Sequence, residues 1–126
     1  MTKILIVEDH RETAATLTIW LEYADYKVVV AYDGNEALAL LSAEEPDLVI
    51  TDGNLPGLGG IDLIKSIRAG QTPQHHIPII MLTGYAAELA DQGFEAGADR
   101  VFSKPTGPHI IVANVKNLLH PQPPSK

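Results

Sequence analysis

The chain has 126 residues, and its 16 acidic against 9 basic side chains give a formal net charge of −7. That length suits one domain, and at 45% apolar and 20% charged residues the composition is that of a folded globular protein. The lack of cysteine excludes disulfides, thiolate metal sites and a cysteine nucleophile, while a pI near 5.0 speaks against a nucleic-acid-binding surface.

The chain opens on a strand-length apolar run, Lys3 to Val7, which stops at Glu8-Asp9 instead of continuing as the apolar region of a secretion signal. Arg11 to Ala24 follows, with Ala14, Leu17, Leu21 and Ala24 at helical spacing and Trp20 beside that stripe. Lys27 to Ala31 is a β-branched strand, with Asp33-Gly34 as a turn after it. Asn35 to Leu41 is predicted as a short helix, ended by the Pro46 region. Asp47 to Thr51 carries Leu-Val-Ile and stops at another acid, Asp52. Gly53 to Gly60 is a loop punctuated by Pro56, Gly57 and Gly59.

The second half repeats the alternation. Ile61, Ile64 and Ile67 mark a helix that runs into a loop at Gly70 to His76. Ile77 to Leu82 is a buried-type strand followed by Thr83-Gly84, and Ala86 to Ala96 is a helix of small residues closed by Gly97. Val101-Phe102 is a short strand leading to Lys104-Pro105, and Ile111, Val115, Leu118 and Leu119 line a final amphipathic helix. Pro121 to Lys126 carries three prolines and reads as a linker or frayed end.

Strands that are apolar along their whole length are buried on both faces. Five of them alternating with helices point to a doubly wound α/β protein, a parallel sheet with helices on each side. No stretch approaches the roughly 18 apolar residues of a membrane span. The expected location is the cytoplasm, with no membrane or nucleic-acid contact through this segment.

Ligands of an open parallel sheet sit beyond the carboxyl ends of its strands. Here those ends carry Glu8-Asp9, Asp52, Thr83-Gly84 and Lys104-Pro105. Two carboxylates about 5 Å apart at an effective dielectric near 20 repel by roughly 3 kcal/mol, so three would not ionise cheaply without a cation. Hard oxygen donors from few residues suit Mg²⁺, which shares itself readily with a phosphate. Lys104 adds a fixed positive charge for a phosphoryl oxygen, Thr83 a hydrogen-bond donor, and Gly84 leaves room beside it. Mg²⁺ and a lysine around a carboxylate make a phosphoryl-transfer site in which the carboxylate can be the nucleophile.

Each feature alone has a bland explanation. An acid at a strand end is often a solvated loop residue or a helix cap, Asp9 or His10 could simply start the next helix, and Lys-Pro is commonplace. Four such features at four strand ends are harder to dismiss. The histidines carry less weight: His75-His76 reads as loop filler, and His10, His109 and His120 have no partner acids at ligand spacing. Neither Gly-x-Ser-x-Gly nor a glycine-rich phosphate loop is present, so nucleotide binding is not supported.

These residues resemble the response-regulator receiver domain of two-component signalling, over essentially residues 2 to 120. The matching segments are Ile4 to Asp9, Asp33 to Leu38, Pro46 to Asp52 with Leu55-Pro56-Gly57, Pro78 to Gly84, and Gly97 to Pro105. The resemblance implies a flavodoxin-like sheet in the order 2-1-3-4-5, a receiver domain over 1–120 and a tail or linker over 121–126. It implies that Asp52 takes phosphate from a sensor histidine kinase or a histidine phosphotransfer protein. Asp9, Asp52 and the backbone carbonyl of Asn54 would ligate Mg²⁺, with Glu8 acting directly or through water. Lys104 would pair with the phosphoryl group and Thr83 would move to hydrogen-bond it. The side chains of Asn54 and Tyr85 would border the path of the hydrolytic water and tune phosphate lifetime.

The face made by the fourth helix, fifth strand and fifth helix would then report to an output protein, or to an output domain outside this chain. Two departures bear on that output. Val101 stands where the family usually has Tyr or Phe as a rotamer switch, and Thr106-Gly107-Pro108 follows Lys104-Pro105 where a Phe is frequent. Strand alternation points Phe102 to the opposite face, so it does not substitute. The expected product is a signalling switch and not an enzyme, beyond catalysing its own phosphorylation and dephosphorylation. A Mg²⁺-dependent aspartyl-phosphate phosphatase of the haloacid-dehalogenase type needs a second Asp two residues after the nucleophile, and Asn54 is there instead. A receiver-like interaction module that takes no phosphate would have no use for Glu8, Asp9, Asp52, Thr83 and Lys104 together.

Overall fold

Strands and helices alternate strictly: β1 (Lys3–Val7), α1 (Arg11–Tyr23), β2 (Lys27–Ala31), α2 (Gly34–Glu44), β3 (Leu48–Asp52), α3 (Gly60–Arg68), β4 (Ile79–Thr83), α4 (Ala86–Ala96), β5 (Arg100–Ser103) and α5 (Pro108–Leu119). The structure is a computed structural model that describes residues 1–70 and 75–121. The tail beyond Pro121 and part of the loop expected at Gly70 to His76 lie outside the described residues. Among those described, no helix is long and apolar enough to cross a membrane.

All strand pairs are parallel, in the order β2-β1-β3-β4-β5. The order reverses between β1 and β3, so the connections leaving those two strands diverge and open a crevice at their carboxyl ends. Alternation of side chains along each strand sorts the core into two layers. Ile4 and Ile6 of β1, with Leu48, Ile50, Ile80 and Leu82, pack against Ala14, Leu17 and Leu21 of α1 and Ile111 and Val115 of α5. Leu5 and Val7, with Val49, Ile79 and Met81, pack on the other face against Ala37 and Leu41 of α2 and Leu63, Ile64 and Ile67 of α3. Strands β3 and β4 are buried throughout, as a two-faced sheet requires, whereas the edge strands β2 and β5 are only partly covered.

The structure corrects three boundaries. Asp33-Gly34 is a helix start and not a turn: the Asp33 carboxylate accepts a hydrogen bond from the Glu36 amide at 2.8 Å, and Glu36 Oε1 accepts one from the Tyr32 amide at 3.1 Å. Two amides at the start of the helix are thereby satisfied. Helix α2 also continues past Leu41 to Glu44, ending where Glu45 adopts a left-handed conformation at φ 49°. Strand β4 begins at Ile79, two residues later than predicted, because Pro78 has no amide to give the ladder; its carbonyl still accepts from Val49.

Candidate functional site

Parallel register brings the strand ends to one rim. Val7 pairs with Thr51, Asp52 with Leu82 and Thr83 with Ser103, so Glu8, Asp52, Thr83 and Lys104 emerge side by side. Backbone bonds hold the rim together: the Gly53 amide donates to Leu82 O at 2.9 Å and the Lys104 amide to Thr83 O at 2.9 Å. These acids are not solvated loop residues. Glu8 is only 2% and Asp52 6% exposed, and Thr83 is fully buried.

Lys104 connects them. Its ammonium donates to Glu8 Oε1 and, at 2.9 Å, to Asp52 Oδ2. The other Asp52 oxygen accepts from the Asn54 amide at 3.0 Å, and Glu8 Oε2 accepts from the His10 amide at 3.2 Å. Burial pushes the Glu8 carboxyl above its usual range, with the Asp52 charge adding to that, although the bonds from Lys104 and His10 pull the other way. Burial alone would lower the Lys104 ammonium, but its bonds to Glu8 and Asp52 outweigh that and the net shift is upward.

The charges do not balance. The Lys104 ammonium bridges two carboxylates and Asp9 adds a third to the group, while His10 is the N-cap of α1, so neither Glu8 nor Asp9 acts as the cap at that position. Single ligand atoms from Glu8, Asp9, His10 and Asp52 all lie within 4.8 Å of one another. The three carboxylates among them are hard oxygen donors with excess negative charge, a donor set that suits a divalent cation.

A model of the response regulator receiver domain family matches residues 4–116. The chain belongs to the response regulator receiver family. It is 41% identical over 120 residues to the transcriptional regulatory protein CpxR of Escherichia coli K12, covering 94% of this chain and 50% of that protein, and equally so to CpxR of Klebsiella pneumoniae. The chain thus spans about half the length of the curated relatives it matches. Among solved structures, Vibrio cholerae CheY4 superposes with a TM-score of 0.85 at 31% identity, over 94% of this chain and 99% of that one. The receiver domain of the Pseudomonas aeruginosa sensor histidine kinase PA1611, solved with magnesium coordinated in its active-site cleft, gives 0.85 at 25% identity, over 94% and 97% of the two chains.

Within this receiver domain the remaining predicted residues fall into two groups. The Thr83 hydroxyl accepts from the Tyr85 amide at 3.1 Å, and a side chain on Gly53 would meet Thr83 Cβ at 3.0 Å, so the threonine leans on the backbone next to Asp52. Asn54 and Tyr85 are exposed, and their backbone amides donate to Asp52 Oδ1 and Thr83 Oγ1. Val101 is not part of the cluster. It packs in the layer of α2, α3 and α4, 3.3 Å from where a Gly93 side chain would begin, and Phe102 packs in the opposite layer, as alternation requires.

Three residues escaped the sequence reading. His10 was placed without partner acids, yet its Nδ1 lies 3.5 Å from Glu8 Oε2 and 3.6 Å from Asp9 Oδ1. The bend between β1 and α1 gathers neighbours that regular helical or strand spacing would separate; the Glu8-Asp9-His10 run at a strand end was the available signal. Gly60 starts α3 against the end of β3, where a Cβ would fall 2.0 Å from Asp52 O. Arg68 closes the far side of the sheet, its guanidinium bonding the carbonyls of Gly97, His75 and Ile77. The rings of His75 and His76 lie against each other, 3.9 Å between centroids, and His109 pairs with Trp20 at 6.4 Å.

Proposed function

We propose that the chain is a phosphoacceptor signalling switch in which Asp52 takes a phosphoryl group from a phosphohistidine on a sensor histidine kinase or histidine phosphotransfer protein. The observation that supports this most directly is the Lys104 ammonium held between the buried carboxylates of Asp52 and Glu8. An Asp52 oxygen forms a bond to phosphorus as the phosphorus–nitrogen bond breaks, and the imidazole nitrogen keeps that electron pair. Lys104 neutralises an oxygen of the group in flight, and Thr83 turns its hydroxyl toward another. Glu8, Asp9, Asp52 and the carbonyl of Asn54 are the groups that would hold Mg²⁺, which when bound neutralises charge on the phosphoryl oxygens.

Phosphorylation adds charge and three acceptor oxygens at Asp52 and favours the state that draws Thr83 and Lys104 inward. The surface of α4, β5 and α5 passes that state to an output protein or output domain, with Val101 removing the aromatic part of the coupling. Asn54 and Tyr85 set phosphate lifetime by bordering the approach of water. The receiver unit spans 1–120, acts in the cytoplasm, and is followed by a proline-rich tail or linker over 121–126.

Intact mass after incubation with a small-molecule acyl phosphate and Mg²⁺ tests the reading, with a non-hydrolysable phosphate mimic titrated alongside. One phosphate adduct that needs Mg²⁺ and is absent in Asp52→Asn supports it. No adduct and no binding of the mimic would leave an interaction module.

A further inference from the structure

We propose that the Met81 side chain passes the state of Asp52 to helix α4, in place of the aromatic residue that Val101 does not supply. The inference rests on the reading of Asp52 as phosphoacceptor and adds the route by which its state leaves the site. Met81 is fully buried in the layer of α2, α3 and α4. It lies two residues before Thr83 on β4, so alternation puts both side chains on one face. They share the space over Gly53, the residue after Asp52. A Cβ built there would stand 3.0 Å from Thr83 Cβ, 3.3 Å from Thr83 Oγ1 and 3.2 Å from Met81 Sδ.

The far end of the thioether reaches α4. A Cβ on Gly93 would fall 2.6 Å from Met81 Cε and 3.3 Å from Met81 Sδ, with Val101 Cγ2 also at 3.3 Å. One side chain therefore runs from the backbone beside Asp52 to the backbone of α4, and Val101 forms a wall next to it. Gly93 supports this placement. Glycine inside a helix is unfavourable relative to alanine, and Gly93 has no positive φ that would call for it. Its missing side chain is the room that the Met81 methyl group occupies.

Methionine suits such a role. It is unbranched and flexible, so it changes shape inside a packed layer where a β-branched residue is held to one rotamer. When Thr83 turns its hydroxyl toward a phosphoryl oxygen, the space over Gly53 changes and the Met81 sulfur moves with it. Close packing leaves no void to absorb that movement, so the methyl group displaces α4 at Gly93. Phe94, the next residue of α4, is 52% exposed and carries the shift to the surface.

A methionine that only filled space would occupy the same position, and nuclear magnetic resonance of the full chain separates the two cases. The sequence has two methionines and Met1 is 87% exposed, so isotope labelling of the methionine methyl groups gives Met81 a signal of its own. Beryllofluoride with Mg²⁺ serves as the phosphate mimic. The Met81 methyl signal is expected to move when the mimic binds. Met81→Leu, close in volume, should bind the mimic as wild type does and keep the amide shifts at Asp52, Gly53 and Thr83, while those along α4 fall about twofold or more. Gly93→Ala should displace the Met81 methyl signal before any mimic is added. A Met81 methyl that stays in place when the mimic binds would overturn the proposal whether or not the variants fold, as would full α4 shifts in Met81→Leu. In both cases the shifts at Asp52 would leave the phosphoacceptor reading standing. Wild type with no shift at Asp52, Gly53 or Thr83 would overturn that reading and the coupling with it.

Discussion

Lys104 Nζ stands 2.9 Å from Asp52 Oδ2 while also bonding Glu8 Oε1, so a single ammonium ties together the ends of β1, β3 and β5. Removing it leaves two buried carboxylates with no nearby counter-charge. Lys104→Met is expected to destabilise the metal-free protein by about 1–3 kcal/mol, below the full penalty for breaking a buried pair because the lysine side chain is 24% exposed. Mg²⁺ should recover part of the loss. Urea denaturation with and without Mg²⁺ measures both, and an unchanged midpoint would show that the bridge carries no net stability.

Glu8 gives the opposite sign. Burial raises its folded pKa above the ordinary 4.5, so the folded state holds that proton more tightly than the unfolded chain does. Its charged form therefore costs stability at neutral pH, and the cost shrinks as pH falls through the folded pKa toward the unfolded value. Glu8→Gln is expected to melt a few degrees higher than wild type at pH 7 without metal, with the gap narrowing on acidification. The same variant should bind Mg²⁺ more weakly. Lys104 acts at the alkaline end: its stabilisation is complete below the unfolded 10.5 and is lost as pH rises through the higher folded value.

Gly60 sets helix α3 directly against the backbone of Asp52. A methyl group there would lie 2.0 Å from Asp52 O, against backbone that cannot turn aside. Gly60→Ala should cost about 2–3 kcal/mol as an overpacking substitution and slow phosphoryl uptake by displacing Asp52. Denaturation and intact-mass time courses report the two effects, and normal uptake in a destabilised variant would show that the strand absorbs the shift.

Arg68 separates stability from the site. Its guanidinium bonds three backbone carbonyls and reaches Asp99 Oδ2 at 3.1 Å. Arg68→Ala should cost roughly 2–3 kcal/mol through carbonyls left without their charged donor, with phosphoryl uptake unchanged in the folded protein.

Val101 is expected not to act as a rotamer switch. Amide shifts on α4, β5 and α5 upon phosphorylation should be the same in Val101→Ala as in wild type. A wild-type change on that face that vanishes in the variant would make Val101 a working switch element.

The architecture was legible because its signal is local. Short continuous apolar runs such as Ile4 to Val7 and Leu48 to Ile50, cut off by acids, fit strands covered on both faces, and the stripes at Leu17 and Leu21 or Ile64 and Ile67 fit one side of a helix. Once the sheet is parallel, the residue after each run lies on one rim, which is why the sequence alone groups Glu8, Asp52, Thr83 and Lys104. Tertiary structure alone decided the rest. The capping bond at Asp33, the ring of His10 between two acids, the approach of Gly60 to Asp52 and the carbonyls gathered by Arg68 depend on bends and on layers meeting across the sheet. Hydrophobic periodicity records which side of an element is buried; it does not record which atom of a distant residue will lie against it.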